Sequence, residues 1–378
     1  MLPCFPKHSL HTSATIFPVK IKYIAHSTVL VEDKGVKILC DPWLEGETYY
    51  GSWAHYPPVD FSPEEYADID YIYISHIHPD HLHHPTLKEL DSDIPVFIHD
   101  FKWDYVKKNI ERMGFDVNEL SHGERHHLEG DLHLSIYASD DCNPEVCQKL
   151  FGCTWFGEDK AGEKKATEGS TYIDTMGVFD NEEEVLVNAN DCRWPFTQRA
   201  ARRVKRTFNG INCLLVQAGS AGIYPHFMIN LSHEKMLSER ERIIKESMED
   251  VLGFVRTLSP DVVIPFASSV VLAGNLAERN LYHPTPSFSE AEKYYQDIAG
   301  ESVQDATEMV LLNQGNFFDI TTKEKSSEYE PIDKEKKWEY IRNELQERSY
   351  EYESEKYRHL RNSIIYLKVP SKTSTKNA

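Results

Sequence analysis

The sequence contains no run of 18 apolar residues, which excludes a transmembrane helix. The first eighteen residues, MLPCFPKHSLHTSATIFP, lack the unbroken apolar stretch of a secretory signal, so export is not expected and residues 1–18 read as an N-terminal extension. Positive charge is scarce: 41 Lys and Arg stand against 61 Asp and Glu, a net charge of −20. A surface of that sign repels phosphate backbones and argues against nucleic acid as a general partner. Cysteine is sparse and odd in number, seven in 378 residues, which suits a reducing cytoplasm rather than a disulfide framework. Cys40 and Cys213 sit in strand-like runs and are expected to be inert core thiols, while Cys142, Cys147 and Cys153 are spaced C-x4-C-x5-C, which is not a zinc-ligand spacing. No short-period repeat is present.

What is present is a core-forming pattern. The segment 19–43, VKIKYIAHSTVLVEDKGVKILCDPW, reads as three short strands with a turn at Asp33–Gly35. Further strands are expected at 71–75, 94–99, 132–138, 170–176, 184–190, 211–218 and 261–267, with helices over 101–113, 196–208 and 232–258, the last capped by Ser232. Strands that come first and then interleave with helices fit two sheets with helices outside. Beyond residue 321 the chain is highly charged, with Trp338, Ile341 and Leu345 forming a thin helical stripe that could dock. The expected organisation is one sandwich domain at 19–320 and a charged helical tail at 321–378.

The chemistry concentrates in residues 71–90, YIYISHIHPDHLHHPTLKEL, where five of twenty residues are histidine. The centre is His76-Ile77-His78-Pro79-Asp80-His81. Neutral imidazole is the commonest zinc ligand and also suits iron and manganese. In extended chain, residues two apart point the same way, so His76 and His78 can grip one ion. Pro79 turns the chain and makes Asp80 and His81 available to a second. Pro85 can open a helix, where its missing N–H costs nothing. His83 and His84 read as cap or solvent-facing residues, and His126, His127 and His133 as surface residues around a hairpin. The basic run Arg199, Arg202, Arg203, Lys205 and Arg206 reads as a solvated helix face.

An H-x-H-x-D-H motif after an apolar strand resembles the metallo-β-lactamase superfamily, whose fold is a four-layer αββα sandwich. The opening segment, with Ala25-His26-Ser27, resembles the branch containing ascorbate-6-phosphate lactonase and N-acylphosphatidylethanolamine phospholipase D. CDPWLEG (40–46), NANDC (188–192), AGSAGIYP (218–225) and SPDVVIPFA (259–267) resemble the C-terminal part of cytidine-monophosphate N-acetylneuraminate hydroxylase. The resemblance implies one or two divalent metals, zinc, iron or manganese. His76 and His78 match ligands of the first, Asp80 and His81 those of the second, and Asp191 the bridging aspartate. A further ligand is expected in SDDCNPE, at Asp140 or Asp141. The histidine usual after a strand like VVIPFA is replaced by Ser268 and Ser269. Asp80 is the expected catalytic proton acceptor, His26 its neighbour at the metals, and Tyr224 and His226 candidate substrate contacts.

Two enzymatic readings follow. One is a metal-dependent hydrolase acting on a small anionic substrate with a lactone, amide or phosphoester bond. The other is a non-haem iron oxygenase. The hydroxylase it resembles has a Rieske domain, whose C-x-H and C-x2-H ligand pairs this chain lacks, so an oxygenase would need a separate electron-transfer protein. A third reading, a scaffold without catalysis, conflicts with the intact motif. The charged C-terminal segment is a candidate surface for self-association into a homo-oligomer.

Overall fold

The computed structural model describes residues 19–101, 103–139, 173–220 and 222–355. Cys142, Cys147, Cys153, Asp140 and Asp141 therefore lie outside the described residues. The apolar alternation of the opening segment becomes an antiparallel meander of β1 (Lys20–Ala25), β2 (Thr28–Asp33) and β3 (Val36–Cys40). Lys34 and Gly35 both have positive φ, +51° and +90°, the geometry that a two-residue hairpin turn requires.

Three strands then add in parallel: β5 (Tyr71–Tyr73), β6 (Val96–His99) and β7 (Val117–Leu120). Parallel pairing needs crossovers, and these carry the helices His84–Glu89 and Tyr105–Glu111. With β16 (Phe317–Asp319) against β1, the first sheet has the order β16-β1-β2-β3-β5-β6-β7. The second sheet repeats the plan. β8 (Arg125–His127), β9 (His133–Ala138), β10 (Thr175–Asp180) and β11 (Val185–Asn188) are antiparallel neighbours. β12 (Cys213–Gln217), β13 (Val262–Phe266) and β15 (Glu308–Met309) follow in parallel from β11. A small ribbon pairs β4 (Trp53–His55) with β14 (Val270–Leu272).

The two-residue period of each strand sorts its side chains into layers. Ile38, Cys40 and Tyr73 of the first sheet face Leu134, Phe179, Cys213, Leu215 and Ile264 of the second. Leu39, Ile72 and Val96 point outward and meet Leu87, Val106 and Ile110 of the two short helices. Leu214, Val216 and Val263 meet helices Trp194–Thr207, His233–Leu258 and Phe288–Ala299. This is the αββα sandwich. Cys40 and Cys213 are free thiols buried in its centre, as expected.

Of the strand placed at 170–176, residues 170–172 lie outside the described residues, and the described strand runs over Thr175–Asp180, where TMGVFD pairs with both β9 and β11. Gly177 in it lies under Tyr73, where a Cβ would stand 2.8 Å from the ring. The stripe beyond residue 321 that could dock does so: Ile341 and Leu345, joined by Tyr350 and Tyr352, are buried in one cluster with Trp43, Trp53 and Leu272, and Trp338 packs against it. Among the described residues no helix is long and apolar enough to cross a membrane.

The turns β2–β3, β8–β9 and β10–β11 gather at one end of the sandwich. Lys34 Nζ donates to Asp131 at 2.6 Å and Asn181 Nδ2 to Asp33 at 3.2 Å. The carboxyl ends of β3, β5, β11, β12 and β13 open at the other end.

Candidate metal centre

The histidine motif leaves β5 at that carboxyl edge. After Ser75 the chain turns on itself, with the N–H groups of His81 and Leu82 donating to the His78 carbonyl at 3.0 and 2.8 Å. The turn returns Asp80 and His81 beneath His76. Strand ends deliver the rest: β1 ends beside His26, β3 beside Asp41 and β11 shortly before Asp191. Because β10 runs antiparallel to β11, its first residues lie next to the end of β11, and that register brings in Asp174. His26, Asp41 and Asn190 all adopt left-handed backbone, with φ of +46°, +46° and +47°, and Ala267 after β13 has φ +52°. Non-glycine residues in that region cost about 1–3 kcal/mol each, and they hold where surrounding contacts fix them. The Ala267 N–H donates to the His26 carbonyl at 2.7 Å, which latches two of these bends together.

Among the described residues, three sets of donor atoms lie within 4.8 Å of one another: His76, His78 and Asp174; His76, His81 and Asp191; His26, Asp80 and His81. The structure thus brings His76, His78, Asp80, His81 and Asp191 together, with His26 beside them. Asp174 joins them; Asp140 and Asp141, where a further ligand was expected, lie outside the described residues. The signal available was an aspartate leading into a strand that hairpins onto NANDC.

Asp41 was also missed. Its Oδ1 accepts the Ser75 N–H at 2.7 Å, and its Oδ2 accepts the Ser75 hydroxyl at 2.7 Å and faces His81 Nδ1 at 2.8 Å. A carboxylate only accepts, so His81 carries a proton on Nδ1. The Ser75 hydroxyl hydrogen is committed to Asp41, so at 2.9 Å it accepts from His76 Nδ1–H. Both rings therefore present Nε2 to the interior. Such outer partners fix the tautomer and orientation of a ligating histidine.

Asp80 is gripped from two sides. Its Oδ1 accepts from the Tyr49 hydroxyl at 2.7 Å and its Oδ2 meets His26 Nε2 at 3.1 Å. Burial pushes this carboxyl upward, but His81, His26 and His78 outweigh it and hold it well below the usual carboxylate range. Burial pulls His81 down, yet Asp191, Asp41 and Asp80 raise it well above the usual imidazole range. Burial, helped by the charges of Asp191 and Asp80, pushes Asp174 up to about 7. Burial and the neighbouring rings of His81 and His78 hold His76 well below its ordinary value.

The donors fit divalent metal. Among the described residues, His81 Nε2 and Asp174 Oδ1 are buried without a hydrogen-bond partner. His81 Nε2 stands 3.5 Å from Asp191 and 3.6 Å from Asp80, and His76 Nε2 is 3.9 Å from Asp174. Buried imidazole lone pairs and crowded carboxylates are costly when left alone and become favourable around a cation.

The remaining candidates lie elsewhere. His83 is buried and caps helix His84–Glu89, its side chain accepting from Thr86 N, while His84 is exposed. His127 is exposed in β8, and His126 and His133 are half-buried. Arg199, Arg202, Arg203 and Arg206 form an exposed helix face. Tyr224 and His226 are not brought to the centre. His226 is buried against Phe227 and His283, and Tyr224 leans toward Glu239.

Residues 20–176 match the family described as the beta-lactamase superfamily domain. The fold is similar to that of a possible metal-dependent hydrolase from Veillonella parvula DSM 2008, at 15% identity and TM-score 0.55, over 80% of this chain and 99% of that one. It is similar to isothiocyanate hydrolase from Delia radicum gut bacteria, at 15% identity and TM-score 0.52, over 79% and 98% of the two chains. A diiron β-hydroxylase from Streptomyces venezuelae aligns at 16% identity and TM-score 0.46, over 78% of this chain and 53% of its own. No curated protein matches the chain.

Proposed function

From the metallo-β-lactamase fold of this chain, we propose that it is a metal-dependent hydrolase of a small substrate with a lactone, amide or phosphoester bond, the activity residing in residues 19–320. The observation that carries this reading is the convergence of His76, His78, Asp174, His81, Asp80 and Asp191, where His81 Nε2 and Asp174 Oδ1 are buried and unsatisfied among the described residues. His76, His78 and Asp174 would hold one cation, and His81, Asp80 and Asp191 a second. A divalent metal supplies Lewis acidity there, polarising a carbonyl or phosphoryl group and acidifying water.

The chain's own residues do the rest. Asp80 is the proton acceptor, kept ionised by His81 and His26. His26 Nε2 donates to Asp80 Oδ2 at 3.1 Å and holds it in place, and the Tyr49 hydroxyl fixes the carboxylate's other oxygen. Asp41 and Ser75 hold the His81 and His76 tautomers. Trp43 and Trp53, edge-on to His26 at 5.6 and 6.4 Å, give that side an apolar wall that excludes water.

A second reading has its own observation. His76, His78 and Asp174 form a two-histidine, one-carboxylate set, which suits non-haem iron and oxygen chemistry. Metal analysis of protein purified with and without air separates the two. Zinc with turnover of ester, lactone or phosphodiester probes supports hydrolysis. Iron with an oxygen-sensitive absorption band supports oxidation. His78→Ala is expected to lose metal while His127→Ala retains it; full metal in both variants would overturn the centre.

A further inference from the structure

A cleft of 330 Å³ lies between helix His233–Leu258, the start of helix Phe288–Ala299 and the docked helix Lys334–Tyr340. Arg240, Lys334 and Lys337 line it against a single carboxylate, Glu290, a local surplus of two positive charges (three less one) in a chain of net charge −20. Glu290 is already committed. Its Oε1 takes Lys334 Nζ at 3.0 Å, and its Oε2 accepts the Ser287 N–H at 2.9 Å in a capping box. Among the described residues neither Arg240 nor Lys337 has a carboxylate within 4.0 Å. Arg240 Nε donates to the His283 carbonyl at 3.0 Å, which leaves the remaining guanidinium N–H groups for another acceptor. Lys337 Nζ stands 5.7 Å over the Tyr56 ring. Burial pulls this ammonium down to about 8, against the pull of Glu290 and with Arg240 and Lys334 adding repulsion. Like charges drawn into a cleft are unfavourable unless an anion accompanies them. The hydroxyl-bearing Thr285 and Ser287 also line the cleft.

We propose that this cleft binds an oxyanion of the phosphate class, free or as the head of an organic ligand, through Arg240, Lys337 and Lys334. It is distinct from the metal centre, none of whose residues line it. His283 lies between the two, meeting Trp53 edge-on at 6.1 Å, and Trp53 in turn meets His26. An organic body has a place as well. A second cavity of 310 Å³, lined by Tyr23, Phe288, Leu312 and Tyr329, shares Ile332 with the cleft.

The test is calorimetric titration of the full metal-containing chain with inorganic phosphate and with phenyl phosphate at low salt. Both are expected to bind once. Tighter phenyl phosphate assigns an organic ligand and equal affinity assigns the free ion; either upholds the site. Lys337→Met and Arg240→Met should each weaken binding by about tenfold or more, the size of a lost charge-assisted contact. Lys336→Met, whose side chain is 77% exposed on the same helix, should bind like the parent. If Lys337→Met does not fold, Lys334→Gln at a side chain 74% exposed serves, with an expected loss of about threefold. His78→Ala should keep full phosphate affinity, which separates this cleft from phosphate held at the metals. Unchanged affinity in the cleft variants, binding lost in His78→Ala, or no heat up to about 10 mM ligand would each overturn the proposal.

Discussion

Asp41→Asn isolates the control that a remote carboxylate exerts on the metal centre. The backbone N–H of Ser75 cannot turn round, so the amide oxygen of the substituted side chain must stay at the Oδ1 place, 2.7 Å from it. The amide nitrogen then sits where Oδ2 was, facing the Ser75 hydroxyl and His81 Nδ1. A hydroxyl rotates to accept. The imidazole can accept only by moving its proton to Nε2, the atom meant for the ion. The lost charge-assisted bond is worth about 1.5–3 kcal/mol. Each 1.4 kcal/mol is a factor of about ten, so metal affinity should fall roughly 10- to 100-fold, the usual range for an outer partner of a ligating histidine. Competition with a chromophoric chelator reads this directly, with unfolding midpoints of the metal-free proteins as the folding control. A dissociation constant within about twofold of the parent, in a folded variant, would refute the tautomer argument.

Metal entry must expel protons, because three carboxylates keep His81 protonated and Asp174 sits near 7. Calorimetry at pH 6.5 in buffers of different ionisation enthalpy should show release of about one to two protons per chain, and none would contradict the assignment. Gly51→Ala should destabilise by about 2–5 kcal/mol, combining left-handed strain with overpacking. Gly51 has φ +87° and a Cβ there would lie 2.6 Å from Tyr350, so the coupling with Tyr350→Ala in urea unfolding should recover the steric part. Burial holds His55 at about 3, far below its unfolded value near 6.5, so the unfolded chain binds the extra proton between those limits. That contribution to stability is complete above pH 6.5 and is lost as pH falls. His55→Gln should therefore show a shallower slope of stability against pH between about 4 and 5.5, by about 1.4 kcal/mol per unit. An unchanged slope would mean that His55 is not held neutral.

The parts of this molecule governed by local alternation were legible before any coordinates. The β1–β3 meander with its Asp33–Gly35 turn, the strand before His76 and the Ser232-capped helix all follow from short-range pattern. What sequence could not show is register between distant segments. Asp41 reaches partners 34 and 40 residues away, and Tyr49 reaches Asp80 across 31. Asp174 escaped notice because its place comes from antiparallel pairing with the strand before Asp191, not from its own neighbours. Tyr350 and Tyr352 lie beyond the stripe of Trp338, Ile341 and Leu345 that marked this charged segment as able to dock, and they pack against Gly51 and Gly274, positions far away in sequence.

The gathering of three turns at the end opposite the candidate metal centre separates a face that carries the candidate site from an idle one, bare of its residues. Lys34–Gly35, Gly130–Asp131 and Glu182–Glu183 all lie on the idle face. A dye, a linker to a solid support or a fused domain introduced at these turns would leave the candidate metal centre untouched, with a full sandwich length of packed strands as insulation.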